Sequence, residues 1–255
     1  MELIISIWIL CLGAILGSFL GCMGYRIPNK IKTTFPSSFC SSCKKSLKWY
    51  MNIPIISYLV LKGKCAFCKK KIGFIYFLCE VLCATLFLVS YLLFGFTEQF
   101  FLIVILTCAL IVTIVSDFLY YYISDRVLVI SYISILVVLF AYHGYEEVFM
   151  NVFASLLIFL VMIGIKVIGN HLFKRESLGD GDIKLMAVLG LALGLLNSFV
   201  GLFISSCVAL IYSFFVIRKN KDSMIPFGPF LIIGALIILF LLDYIDPFLI
   251  EFLSL

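Results

Sequence analysis

The chain has 255 residues, of which 64% are hydrophobic and only 13% charged, with a mean hydropathy of +1.21 and a formal net charge of +5. Soluble domains run at about 45–50% apolar and about 25% charged residues, so this composition excludes a soluble globular protein and a disordered chain. It points to an integral membrane protein.

In chain order the apolar runs fall near 3–25, 73–95, 99–116, 126–142, 148–169, 183–198, 199–217 and 226–243. A spanning helix needs roughly 20 mostly apolar residues, and continuous runs of this kind favour helices over barrel strands. The pattern predicts an all-α membrane protein, a polytopic bundle of about eight transmembrane helices. The break near Asn197 is the least marked of the boundaries. The first run is not expected to be a cleaved signal peptide, because no Lys or Arg precedes it and no A-x-A-like site follows.

Charge orients the bundle. Arg26, Lys30, Lys32, Lys44, Lys45, Lys48, Lys62, Lys64, Lys69, Lys70 and Lys71 lie in one loop, 26–72, that contains no Asp or Glu. The positive-inside rule places this loop in the cytoplasm. Arg126, Lys174, Arg175, Arg218, Lys219 and Lys221 fall on the same side, and Glu98, Glu146, Glu147, Asp243, Asp246 and Glu251 on the other. With eight spans both termini lie outside. Topology accounts for the basic loop without a nucleic-acid partner.

The same loop carries Cys40-x-x-Cys43 and Cys65-x-x-Cys68, 21 residues apart, a spacing slightly above the usual range of about 15–20 for paired zinc knuckles. Four thiolates in two such pairs suit a tetrahedral structural zinc, with no open position for water. A reducing cytoplasm disfavours disulfides. The other six cysteines all lie inside apolar runs, and the two histidines, His143 and His171, offer no second metal site.

Acidic residues at the ends of spanning segments are costly and mark function by default. Asp117 closes one apolar run in "VTIVSDFLYYYISDRV", and Asp182 opens another in "SLGDGDIKL". The topology brings both to the cytoplasmic face. Two carboxylates that meet can share a proton, one acting as general base toward water and the other as general acid. Gly179 and Gly181 let the backbone approach a substrate. Asp125 and Asp180 are the rivals within each cluster: Asp125 can instead cap the next helix and Asp180 can be a solvated loop charge. Lys184 can steer a carboxylate or snorkel to the interface, and Glu80 sits close enough to the edge to snorkel too.

Together these segments resemble the type IV prepilin peptidases, leader peptidase/N-methyltransferases of the GxGD aspartic membrane protease group. "LGSFLGCMGYRIP" (16–28) is similar to the family's opening signature. The stretch from Cys40 to Glu80 resembles its cytosolic zinc loop, including Asn52, Pro54, Ser57, Tyr58, Gly63 and Tyr76. "DFLYYYISD" (117–125) and "GDGDIK" (179–184) resemble the segments that carry its two catalytic aspartates, and "IPFGPFLIIGA" (225–235) its final helix entry. Gly21 stands where many members have Asn, and Ser124 where Pro commonly precedes the second aspartate of that segment.

The resemblance implies a division into residues 1–98, associated with methyl transfer, and 99–255, the peptidase core. It implies Asp117 and Asp182 as catalytic and Cys40, Cys43, Cys65 and Cys68 as metal ligands, while the residues themselves offer Gly179, Gly181, Lys184 and Asp125 as candidates to position substrate. It implies removal of short leaders from prepilins or pseudopilins at the cytoplasmic face of a bacterial membrane. Methylation of the new N-terminus with S-adenosylmethionine would follow; no residue is assigned to that cofactor. The alternatives are a GxGD protease acting on other membrane helices, a transporter using its aspartates as a proton relay, and a silent scaffold whose zinc loop docks a partner.

Overall fold

The computed structural model describes residues 1–32, 38–40, 42–174, 176–217 and 225–253. Arg175, Arg218, Lys219 and Lys221, used above for orientation, lie outside these residues, as do the side chains of Asp243, Asp246 and Glu251. The chain is helical: α1 Glu2–Arg26, a short α2 Ile56–Val60 in the cysteine loop, α3 Phe74–Phe94, α4 Glu98–Tyr120, α5 Asp125–His143, α6 Tyr145–Phe173, α7 Asp180–Ile217 and α8 Gly228–Leu253. Six of these helices are long and apolar enough to cross a membrane over the described residues.

α7 is in fact two helices that meet at a sharp kink, the second returning toward the end where the first begins: Tyr212 lies against Phe118 of α4, beside Asp117. Gly194 breaks the ladder with φ 73° and ψ −178°, a conformation that costs glycine little and other residues much. Counting both halves, together with α8, the bundle has the eight apolar segments expected. The break falls at Gly194, just before the expected Asn197, because the glycine rather than the polar Asn197–Ser198 pair takes the non-helical conformation.

α4 forms the axis of the bundle. Residues 109–117 are all buried, nine in succession, which an α-helix achieves only when neighbours surround it. α1, α3, α5 and α8 pack around it, and α6 and α8 flank α7. The α1–α3 seam is set by glycine: a Cβ on Gly17 would sit 2.8 Å from the Cys79 carbonyl oxygen, and one on Gly13 2.8 Å from Ala84 Cα. Two small residues four apart let the backbones meet, the usual basis of close packing between membrane helices.

The hairpins give the bundle two chemically distinct ends. At one, His143 at the end of α5 pairs with Glu98 of α4 and Glu147 of α6, and Tyr142 Oη donates to the Phe96 carbonyl at 3.0 Å. The cysteine loop, the α4–α5 turn, and the starts of α7 and α8 gather at the other.

Candidate active site and cysteine centre

Asp117 lies one turn from the end of α4 and is only 5% exposed. Tyr121 terminates the helix in a left-handed conformation, its N–H returning to the Asp117 carbonyl at 2.9 Å. The next turn therefore bends away and leaves the carboxylate at the helix end. Its partner in the fold comes from 111 residues downstream: the Gly228 N–H donates to Asp117 Oδ2 at 3.1 Å. Gly228 is the first residue of α8, where backbone N–H groups lack helical acceptors and carry the positive end of the macrodipole. A Cβ at this position would lie 2.8 Å from Ile123 Cδ1 and 3.1 Å from Asp117 Oδ2. The contact needs glycine.

Asp182 reaches the same region from the start of α7. Gly179 caps the helix through its carbonyl, which takes the Asp182 and Ile183 N–H groups, and the Asp182 carboxylate folds back over it, Oδ2 lying 3.0 Å from where a Cβ on Gly179 would sit. The other oxygen, Asp182 Oδ1, is buried and has no hydrogen-bond partner among the described residues. The two aspartates are close enough for their charges to act on one another. Ile123 ties the segments together: it packs under Gly181, where a Cβ would meet it at 2.9 Å, and against Gly228.

The rivals occupy exposed ion pairs instead. Asp180 pairs with Lys166 of α6. Asp125 opens α5 and pairs with Lys184 Nζ at 2.7 Å, so Lys184 bridges the α4–α5 turn to α7. Both members of the Asp125–Lys184 pair are half or more exposed, where such a pair contributes about 0–1 kcal/mol.

The cysteine loop folds as two matching knuckles. Lys44 N–H donates to the Cys40 carbonyl and Cys40 N–H to Lys45; Lys69 and Cys65 repeat this with Cys65 and Lys70, all at 2.8–3.0 Å. Lys44 and Lys69 both take φ 58°. The four sulfurs lie within 4.8 Å of one another, and Cys40 and Cys68 are 3.9 Å apart. That is close to the edge of a tetrahedron with metal–sulfur bonds of about 2.3 Å, so the group can hold a metal ion. The Cys43 N–H, with that of Ser42, brings the Cys40 thiol down to about 6 against the opposing effect of burial. At Cys68 the lowering by the Lys70 N–H is outweighed by burial and by the three facing thiols, and the group rises to about 11. Four thiols crowded round one point resist sharing negative charge, which a dication relieves.

Between this loop, α1 and α3 lies a cavity lined by Arg26, Asn52, Tyr58, Tyr76, Phe77 and Glu80, among others. Glu80 does not snorkel: its Oε2 accepts the Ile55 N–H at 2.6 Å and its carboxylate also takes a bond from Ser18. Ile55 is held at φ 63°, a genuine outlier for a β-branched residue. The Glu80 bond fixes that turn between Asn52 and Ser57, which line the cavity.

Glu80, Gly228, Ile123 and Lys166 were not singled out as site residues from the sequence. Glu80 stood out only as an edge carboxylate, and Gly228 left a signal in a Phe-Gly-Pro at the mouth of an apolar run, since Pro at a helix start is common.

Fold and site define a multi-pass membrane protein with an aspartate pair and a separate cysteine centre at one end of its bundle. Residues 11–94 match the bacterial peptidase A24 N-terminal domain, and residues 104–214 match the type IV leader peptidase family. The prepilin leader peptidase/N-methyltransferase of Bacillus subtilis is 30% identical, over 88% of this chain and 90% of that protein. The type 4 prepilin-like proteins leader peptide-processing enzyme of Escherichia coli O78:H11 is 30% identical, over 90% and 91%. A Vibrio cholerae prepilin leader peptidase/N-methyltransferase is 30% identical, over 94% and 98%. No solved structure matches. The chain belongs to the type IV leader peptidase family.

Proposed function

We propose that the chain is a membrane aspartic endopeptidase that removes the leader of prepilins or pseudopilins and then N-methylates the product. The carrying observation is the convergence of Asp117 and Asp182 at one end of the bundle, with Asp117 on the Gly228 N–H. The pair shares a proton: one carboxylate takes a proton from water as it attacks the scissile carbonyl, and the other protonates the departing amide nitrogen. The C–N bond breaks, leaving a carboxylate on the leader and an amine on the mature chain. Gly179 and Gly181 keep the substrate path open beside Asp182, while Asp125 and Lys184 hold the two aspartate-bearing segments in register. The charge distribution supports a cytoplasmic position for this end and both termini outside.

Gly228→Ala tests the α8 contact. With the Gly228 N–H displaced from Asp117, cleavage is expected to slow by about 10- to 100-fold, the worth of a hydrogen bond to a charged group, at unchanged helicity. Steady-state kinetics on a prepilin checks this.

Residues 1–98 carry the methyl transfer in this reading, and Cys40, Cys43, Cys65 and Cys68 hold a structural zinc that shapes the loop. S-adenosylmethionine, when bound, supplies a methyl on a cationic sulfur. The cavity suits it, because a carboxylate and five aromatic rings surround a space beside Asn52 and Arg26, and aromatic faces attract such cations. Glu80 holds the Ile55 turn, between Asn52 and Ser57 of its lining. Glu80→Gln is therefore expected to lose at least about tenfold of methyl transfer while leader cleavage stays near wild type. Intact-mass analysis of the product reads both activities at once. Equal loss of both would overturn the division.

A further inference from the structure

A second cleft lies at the same end of the bundle; neither Asp117 nor Asp182 lines it, and it shares no lining residue with the cysteine cavity. One wall is the segment that follows α1, with Ile27, Pro28, Lys30 and Lys32; the other is the α4–α5 turn and the first residues of α5, with Tyr122, Ser124 and Arg126. We propose that this cleft binds the phosphate of an anionic phospholipid headgroup, through Lys30, Lys32, Arg126 and Ser124.

Ser124 carries the argument. It is only 3% exposed, yet its Oγ has no hydrogen-bond partner among the described residues. It stands at the N-cap of α5 without the usual side-chain bond to the first turn, although Ser at this position normally satisfies one of those N–H groups. Its carbonyl takes the Val127 and Leu128 N–H groups, which leaves the first N–H groups of α5, at Asp125 and Arg126, outside the helical ladder. A buried hydroxyl donor thus sits beside the positive end of a helix, an arrangement that suits a phosphate oxygen.

The charges agree. Among the described residues Lys30, Lys32 and Arg126 enter no ion pair. The acidic group facing the cleft is Asp125, and Lys184 neutralises it. Three uncompensated cations surround one buried hydroxyl.

Position selects a lipid over a free anion. The cleft lies where two apolar spans, Glu2–Arg26 and Asp125–His143, reach the end of the bundle, the level of headgroups. Directly along α5, Val129, Ile130 and Ile133 are more than half exposed and offer a surface for acyl chains. Basic pockets between spanning helices at the membrane face are a known way to hold acidic headgroups.

The test uses the full-length protein in nanodiscs of phosphatidylcholine with a minor share of phosphatidylglycerol, with retained lipid counted by native mass spectrometry after gentle release. Wild type is expected to retain phosphatidylglycerol over phosphatidylcholine by at least about tenfold, at roughly fivefold per basic residue. Lys30→Gln/Lys32→Gln/Arg126→Gln should erase the preference, and Ser124→Ala should weaken it. Lys48→Gln/Lys62→Gln, which removes charge from the same loop away from the cleft, should keep it. Retained preference in the triple variant, or equal loss in the control, overturns the proposal. Displacement of the lipid by low-millimolar inorganic phosphate assigns the cleft to a free anion and overturns the lipid assignment. Helicity by circular dichroism certifies that each variant is folded.

Discussion

Asparagine at either Asp117 or Asp182 is expected to slow leader cleavage by about 100- to 10,000-fold, the usual worth of a general acid or base. The change is nearly isosteric and removes charge from a buried place, so the bundle should remain folded. The double variant is expected to be little worse than either single one, because residues that act as a unit do not contribute additively. Asp125→Asn and Asp180→Asn should behave otherwise. Each removes one half of an exposed ion pair, worth about 0–1 kcal/mol, so cleavage should fall less than about tenfold. Single-turnover rates on one prepilin in membranes of matched protein content separate the two classes. Equal losses at all four positions would mean that the effect is structural rather than chemical.

Removing the metal is the second large perturbation. In small cysteine centres the binding free energy, about 10–16 kcal/mol for structural zinc, is also folding free energy. Among its described residues the loop between α1 and α3 has only short helical turns and isolated bridges, so it has little else to hold it. Cys65→Ser, at the buried member of the cluster, is expected to release the metal and abolish methyl transfer. Cleavage should stay near wild type, because Asp117 and Asp182 stand on α4 and α7, away from the knuckles. Elemental analysis of purified protein should give one zinc per chain in wild type and none in the variant. A variant that keeps its zinc, or wild type that carries none, contradicts the assignment of the cluster.

Much of this organisation was legible in the residues. Apolar runs located the helices because lipid leaves a spanning segment few alternatives, and the two Cys-x-x-Cys pairs announced the knuckles because the spacing dictates the local turn. What stayed hidden was long-range or strained. The break in α7, expected near Asn197, falls at Gly194, because backbone conformation rather than local polarity sets its exact place. The central place of α4 is a matter of which helices surround it, and α6, which is largely exposed, is just as apolar. Gly228 meets Asp117 across 111 residues, and nothing in either segment alone names the other. Glu80 read as an edge carboxylate because its partner is the N–H of Ile55, held at a positive φ that a β-branched residue disfavours. Lys184 was read as a cation that steers or snorkels; its ion pair with Asp125 links turns 59 residues apart.

The most direct test of the account is the intact mass of a prepilin after incubation with membranes containing wild type or the Asp117→Asn/Asp182→Asn variant. The account predicts that wild type yields a product shortened by its leader and heavier by one methyl, and that the variant leaves the prepilin full length. A full-length prepilin with folded wild type, or a shortened one with the double variant, would contradict it.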